Sequence, residues 1–410
     1  MKILLSAFSC EPDKGSEPSV GWNWSIELAK TDHDIWVITW TNNKEYIENY
    51  FSHNSQPPNL HFLYYDLPDY LIKYLKNRFG IRLYYVLWQW NAYNFIKKIH
   101  KNEKFDCVHH VTFVSLRFPS FMGKLGIPFI FGPVAGGENA PWRLRNCYGI
   151  LGFVIDAIRD LSNLWIKIDP FMRATFKQAH KIIATSNQTK ELIPKKFQGK
   201  TQIQLAIGLN TNDFKIDSSN TPKKSSQFKI LYMGRFVYWK GMDIGIRAFA
   251  YFLKTIPTAR LTMVGQGQDE KKWKKLTEML DISSNVDWVP WVNRNQISNL
   301  FAQHDLFLFP SLHDSGGMVV LESIAHGLPV ICTDIGGPGI IIDDSCGKKI
   351  SVQNKTTENI AKEIAEKLIE LYKDKNLRQD LSSGGIARIK QFNWKNIVNT
   401  IYSSSETQIE

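Results

Sequence analysis

The residues with the clearest chemistry are Asp314 and Glu322, two carboxylates that bracket the pair Gly316-Gly317 in the run Pro310-Ser311-Leu312-His313-Asp314-Ser315-Gly316-Gly317-Met318-Val319-Val320-Leu321-Glu322. A short apolar strand, Asp305 to Phe309, leads into the loop bearing Asp314, and the Gly pair then opens a helix that ends at Gly327. Free backbone N–H groups and the dipole at a helix N-terminus favour an anion, so the stretch from Ser315 to Met318 reads as a phosphate cradle. Glu322 falls within the helix, at a reach that suits a hydroxylated group such as ribose, and Asp314 lies on the approach side. The arrangement asks for a ligand with a sugar at each end and phosphates between them.

A second basic motif, Gly234-Arg235-Phe236-Val237-Tyr238-Trp239-Lys240-Gly241, follows another strand. The turn is expected to bring Arg235 and Lys240 together, a planar fork and a point charge suited to a diphosphate. The loop with Trp291 and Val292 would either wall a nucleobase or form the edge of a core. Near the N-terminus, Cys10-Glu11-Pro12-Asp13-Lys14-Gly15-Ser16-Glu17-Pro18-Ser19-Val20-Gly21 joins a first strand to a helix predicted from Trp22 to Lys30. That is an anion-binding type of connection, but its Gly spacing does not fit the dinucleotide fingerprint, and no Gly-Lys-Ser/Thr P-loop is present, which disfavours nicotinamide enzymes and P-loop NTPases. His109 and His110 end a further strand; adjacent strand residues point to opposite faces, so one of them is expected to face a crevice and the other to pack.

These residues need a scaffold, and the apolar pattern supplies one. Strands are predicted at Ile3 to Phe8, Ile35 to Thr39, His61 to Tyr65, Cys107 to Val111, Phe129 to Phe131 and Lys181 to Thr185. A second series follows at Lys229 to Met233, Arg260 to Val264, Asn285 to Val289, Asp305 to Phe309 and Val330 to Cys332. Strands alternating with helical patterns indicate α/β domains on parallel sheets. The polar segment Asp217 to Gln227 reads as an interdomain linker. A last helix, from about Leu381 to Ser403, carries Phe392 and Trp394 and is expected to dock.

Composition bounds the rest. A chain of 410 residues with 43% apolar content suits two domains, each of roughly 150 to 200 residues. Five Cys residues with no C-x-x-C pair argue for a reducing compartment and against a disulfide framework or a zinc site. The apolar N-terminal stretch meets Glu11 and Asp13 at once and reads as a strand rather than a signal peptide. The most apolar later run, Tyr148 to Ile158, is too short to span a bilayer and carries Asp156, so a cytoplasmic protein is expected, soluble or peripheral on the inner face of a membrane. The net charge of +11 favours anionic partners. From Tyr70 to Asn102 there is no acidic residue, and cations alternate with aromatics. This stretch is either an anionic-membrane contact or a core helix with a basic face. No nucleic-acid module accompanies the charge, so nucleic acid is not an expected partner.

The Gly234-Arg235…Lys240-Gly241 turn, the Pro310-Ser311 pair, the acids around Gly316-Gly317 and the run Leu321-Glu322-Ser323-Ile324-Ala325-His326-Gly327-Leu328-Pro329-Val330 resemble family-four glycosyltransferases of the GT-B fold. The opening Ser6-Ala7…Cys10-Glu11-Pro12…Gly15-Ser16-Glu17-Pro18…Gly21-Trp22 is similar to one branch of that family. The resemblance implies two Rossmann-like domains with parallel sheets facing across a cleft, an acceptor-side domain over residues 1–215 and a donor-binding domain over 216–387. It also implies a C-terminal helix, about 388–410, crossing back to the first domain. It implies a retaining, metal-independent hexosyl transfer, without cofactor, from a UDP- or GDP-type nucleotide-sugar to a glycan or lipid-linked saccharide, as in surface polysaccharide biosynthesis. Arg235 and Lys240 would stabilise the leaving diphosphate with N–H groups from Ser315 to Met318, Glu322 would hold the ribose, and Asp314 would bind the transferred sugar. The Gly15 loop with Glu17 would approach from the other domain, and His109 or His110 would position the donor sugar. The family pattern commonly has Glu where this chain has Asp314, and spaces its His residues one apart where these are adjacent. A sugar-nucleotide epimerase on the same fold and a silent nucleotide-sugar-binding scaffold are the competing readings.

Overall fold

A computed structural model describes residues 1–69, 71, 80–210 and 227–409. The predicted linker, apart from Gln227, and part of the basic aromatic stretch lie outside the described residues. Contacts divide the chain into two compact units. The first comprises Met1–Gly137, Asp160–Ile207 and Trp394–Glu410, and the second Glu138–Arg159 with Gly208–Asn393.

In the first unit β1 (Lys2–Ala7), β2 (Asp34–Trp40), β3 (Leu60–Tyr65), β4 (Cys107–Thr112), β5 (Phe129–Val134), β6 (Lys181–Ala184) and β7 (Thr201–Ile203) form one sheet in the order β3-β2-β1-β4-β5-β6-β7. All pairings are parallel, with Ile3 beside Ile35 and Cys107. Both faces of a parallel sheet are covered by helices, and Ile3, Leu4 and Leu5 are accordingly all buried. Helix α1 (Glu17–Leu28) starts ahead of the predicted Trp22. It packs close enough that a Cβ on Gly21 would lie 2.1 Å from the Ser9 carbonyl oxygen.

Helix α2 (Ile81–Glu103) places part of the described basic aromatic stretch in the core. Tyr84, Tyr85, Trp88 and Tyr93 are buried in the main apolar cluster with Phe8, Phe129 and Phe131. Those four rings are buried, whereas Leu83 and Trp90 of the same helix are exposed. Helix α3 (Gly149–Ile166) follows, and its apolar residues behave in the opposite way, as described below.

The second unit has β8 (Lys229–Met233), β9 (Arg260–Val264), β10 (Val286–Val289), β11 (Leu306–Phe309), β12 (Val330–Thr333) and β13 (Gly347–Ile350), in the order β10-β9-β8-β11-β12-β13. These pairs are parallel too. After β11 comes α4 (Met318–Ala325). The chain closes with a helix over Lys375–Arg388, a short 3-10 turn and α5 (Trp394–Ile409). The single helix expected across Leu381 to Ser403 is therefore broken, at Asn393, whose backbone is extended. Helix α5 packs on α1, with the Trp394 ring 6.4 Å from that of Trp24, so the expected docking of the chain end is present within the first unit.

Candidate active site

In each sheet the strand order reverses once, between β1 and β4 in the first unit and between β8 and β11 in the second. The loops leaving the carboxyl ends of such strands diverge to opposite faces and leave a crevice, the usual ligand site of an open α/β sheet. In the second unit those loops carry Gly234 to Gly241 and Pro310 to Gly317, the two motifs singled out in the sequence.

They are held together by glycine. Gly241 has φ 69°, and a Cβ there would lie 2.0 Å from the Pro310 carbonyl oxygen, so a side chain would force the loops apart. This approach delivers Lys240 to the β11 loop, with its Nζ 2.5 Å from Asp314 Oδ2. The other carboxylate oxygen, Oδ1, accepts from the N–H groups of Gly316 (3.1 Å) and Gly317 (2.8 Å). Burial works against the charged carboxylate, but the Lys240 ammonium and the Gly317 N–H prevail and hold the Asp314 carboxyl below its ordinary value. Asp314 is thus ionised, and both its oxygens are engaged by its own site.

The consequence changes the anion cradle. Two of the N–H groups expected to bind phosphate, those of Gly316 and Gly317, are satisfied by Asp314. Gly317, at φ 72°, caps α4. Among the described residues the N–H groups of Met318 and Val319, the first two of the helix, have no backbone partner. They remain as the anion-directed end of α4. Glu322 lies four residues beyond Met318, about 6 Å along the same helical face, and is half-buried.

Arg235 and Lys240 do not share an environment. Arg235 is exposed, its guanidinium 5.8 Å from the Trp239 ring, whereas Lys240 is largely enclosed beside Asp314 and over the Phe309 ring. Trp291 is exposed and Val292 half-buried on the loop after β10, so Trp291 is not a core edge. Gly234, with φ 157°, donates to the Val264 carbonyl, and a Cβ on Gly265 would lie 2.0 Å from the Gly234 carbonyl oxygen, which laces the β8 and β9 loops together.

Sequence reasoning missed two groups of residues here. The Gly336-Gly337 pair after β12 braces the Asp314 loop. Gly337 N–H donates to the Asp314 carbonyl at 2.9 Å, and a Cβ on Gly336 (φ 63°) would lie 2.0 Å from that same oxygen. A second Gly pair at a strand end was the available signal. The other group is Glu138, Arg159 and His313. His313 Nδ1 donates to the Glu138 carbonyl, and Arg159 Nη2 lies 2.7 Å from His313 Nε2. Burial, and then the Arg159 charge, push the His313 imidazole down to about 4, so it is neutral and its Nε2 accepts from Arg159. Glu138 and Arg159 are remote in sequence from His313 and carried no motif.

In the first unit the switch-point loops follow β1 and β4. Glu17 is the first residue of α1 rather than a loop residue, and its carboxylate accepts from the Val114 N–H beyond β4. Burial raises its carboxyl to about 7 in spite of that hydrogen bond. Gly15 is exposed, with open space where a Cβ would stand; the unusual backbone belongs to Asp13 (φ 56°) and Ser16 (φ 61°). His109 and His110 do point to opposite faces, and both are buried. His109 Nε2 lies 2.6 Å from the Gly132 carbonyl and Nδ1 2.8 Å from the Tyr402 hydroxyl, so neither nitrogen is left for a ligand, which corrects its assignment as a donor contact. His110 Nε2 is 3.4 Å from the Tyr85 hydroxyl, and its Nδ1 has no partner among the described residues. Burial depresses His109 to about 3 and His110 to about 4, so both are neutral.

The fold is that of the GT-B glycosyltransferases. HepE of Anabaena, solved in complex with UDP and glucose, superposes with a TM-score of 0.60 at 15% identity, over 99% of each chain. WaaG, described as a glycosyltransferase involved in lipopolysaccharide biosynthesis, superposes with a TM-score of 0.57 at 18% identity, over 98% of this chain and 99% of its own. Within the second unit, residues 213–388 match the family described as Glycosyl transferases group 1. The lipopolysaccharide glucosyltransferase WaaG of Escherichia coli is 33% identical over 170 residues, 39% of this chain and 45% of the relative. Protein CapJ of Staphylococcus aureus is 22% identical over 310 residues, 70% of this chain and 73% of its own. The first curated relatives are matched over less than half their length.

Proposed function

We propose that this protein is a retaining glycosyltransferase that moves a sugar from a nucleotide-sugar to a hydroxyl of a saccharide acceptor, in the assembly of a surface polysaccharide. The observation that carries the reading is Lys240, held by Asp314 at the switch point of the second unit beside the N-terminus of α4. As the anomeric bond breaks, negative charge develops on the departing diphosphate. Lys240 and the Met318 and Val319 N–H groups stabilise that charge from fixed positions, which is how a preorganised site lowers such a barrier. Arg235 adds a second cation at the exposed side and, with Lys240, supplies the charge that a metal would otherwise bring. Glu322 accepts from the ribose hydroxyls.

Asp314 holds Lys240 and the Gly pair in place. With Asp314 ionised but fully engaged, the proton of the acceptor hydroxyl goes to the leaving phosphate on the same face, and the configuration is retained. HepE, a structural neighbour, is solved with UDP and with UDP-glucose, and WaaG is named as a lipopolysaccharide glucosyltransferase. These support a UDP-type donor and a cell-surface glycan acceptor. The test is incubation with UDP-, GDP-, ADP- and dTDP-sugars, with and without saccharide acceptors, followed by NMR of the product anomer. Release of a nucleoside diphosphate with a product of unchanged anomeric configuration is expected. Conversion of a donor to its epimer without such release, or no turnover of any donor, overturns the reading.

A further inference from the structure

Helix α3 is turned inside out. In a surface helix of a soluble protein the apolar stripe faces the core and the polar face meets water. In Gly149–Ile166 the exposed side carries Ile150 (88% exposed), Leu151 (73%), Ile155, Ile158, Leu161 (67%) and Trp165. At 3.6 residues per turn these residues, with Val154, occupy about half the helix circumference. The opposite side carries the polar residues. Asp156 and Asn163 are buried, with Asp156 3.4 Å from the Tyr238 hydroxyl and 3.9 Å from the Arg145 guanidinium. Arg159 reaches the Glu138 carbonyl and His313, and Asn163 reaches the Gly136 carbonyl and Arg117. These polar contacts fix the rotation of the helix, so the apolar stripe cannot turn inward without stranding Asp156, Arg159 and Asn163.

We propose that this face of α3 lies in the interface of an anionic lipid bilayer. The choice of a bilayer over another protein rests on what flanks the stripe. Exposed Trp142 and Arg143 precede it, and Trp165, Lys167, Ile168, Phe171 and Arg173 continue beyond it. Rings that suit the headgroup level and cations that meet anionic lipid therefore sit at both ends, and the chain as a whole carries +11. The only acidic residues of the helix, Asp156 and Asp160, are on the inner side, so none opposes an anionic surface. Among the described residues no helix is long and apolar enough to cross a membrane, so the contact is interfacial rather than spanning. This contact does not depend on the transfer chemistry; it adds that the acceptor is presented at a lipid surface, because the inner side of α3 is bonded through Arg159 to His313, next to Asp314.

The experiment is co-sedimentation of the full-length protein with vesicles of phosphatidylcholine alone and of phosphatidylcholine with phosphatidylglycerol. The wild type is compared with Leu151→Glu/Ile155→Glu/Ile158→Glu and with a control at another exposed apolar position, Met279→Glu. All three altered α3 positions are exposed, so circular dichroism and the thermal transition should match the wild type. The wild type and control are expected to sediment with the anionic vesicles, and the triple variant to partition about a hundredfold more weakly. Equal partitioning of the triple variant, failure of the wild type to bind anionic vesicles, or equal binding to zwitterionic vesicles overturns the proposal. So does a wild type that is dimeric by sedimentation velocity and becomes monomeric in the triple variant without any vesicle binding. Should the triple variant unfold, Ile150→Ser and Leu161→Ser, tested singly, carry the same expectation at smaller size.

Discussion

Replacing Asp314 with Asn tests the electrostatic core of the site. The amide keeps the shape and an oxygen that can accept from Gly316 and Gly317, and it removes only the charge opposite Lys240. Breaking a fully buried pair by neutralising one partner costs about 3 to 5 kcal/mol. Here the Lys240 and Asp314 side chains are 12% and 17% exposed, so water recovers part of the loss, and about 2 to 3 kcal/mol is expected. For a unit of this size each kcal/mol moves the midpoint by about 2 to 4 °C, so the transition of the second unit should fall by about 5 to 10 °C at pH 7. The pH dependence gives a stricter check. The folded carboxyl of Asp314 lies below its ordinary 3.8, so its stabilisation is present above that value and is lost as pH falls through the folded one. The gap between wild type and Asp314→Asn, followed by calorimetry from pH 7 to pH 3, should be widest at neutral pH and close towards the acid end. Equal midpoints at pH 7, or a gap that does not change with pH, would refute the assignment of Asp314 as the ionised partner of Lys240.

Three further outcomes follow from particular contacts. Glu17, raised to about 7 from an ordinary 4.5, holds its proton in the folded state until the pH nears 7, so stability of the first unit should decline as pH rises from about 4.5 to about 7 and then level off; Glu17→Gln should flatten that decline in a denaturant series, and any inflection of kcat/KM near pH 7 should vanish with it. His109 donates through Nε2 to Gly132 and accepts at Nδ1 from Tyr402, so Tyr402→Phe strands a buried nitrogen and should destabilise the first unit by about 1 to 2 kcal/mol in urea titrations. Gly336→Ala places a Cβ against the Asp314 carbonyl at a left-handed φ, and should lower turnover more than tenfold; unchanged turnover would show that the brace is not needed.

Much of the scaffold was legible because buried parallel strands are nearly continuous apolar runs. Lys229–Met233 and Arg260–Val264 have the limits read from the sequence, and the others differ by a few residues at their ends. The two strands missed, Thr201–Ile203 and Gly347–Ile350, are short edge strands with one neighbour each, where pairing rather than composition decides the conformation. Of the site, the loops at the second switch point were legible because Gly and charged residues cluster at strand ends. What the carboxylate of Asp314 contacts was not, because a side chain that caps its own loop looks in sequence like one awaiting a ligand. His109 misled for a related reason: its partners, Gly132 and Tyr402, are distant in the chain, and only the packing of α5 on the sheet brings the hydroxyl to the ring. The basic aromatic stretch was half core, and the face proposed for lipid lies instead on α3, set by polar anchors that sequence periodicity reads as an ordinary amphipathic pattern.

The central claim is that Lys240, held by Asp314, receives the diphosphate of the donor. Calorimetric titration of UDP into the wild type and into Lys240→Met, each first shown to be folded by its thermal transition, tests it most directly. The wild type is expected to bind, and the variant to bind at least about tenfold more weakly, as the loss of one charge-assisted contact implies. Equal affinity for UDP in the two proteins would contradict the account.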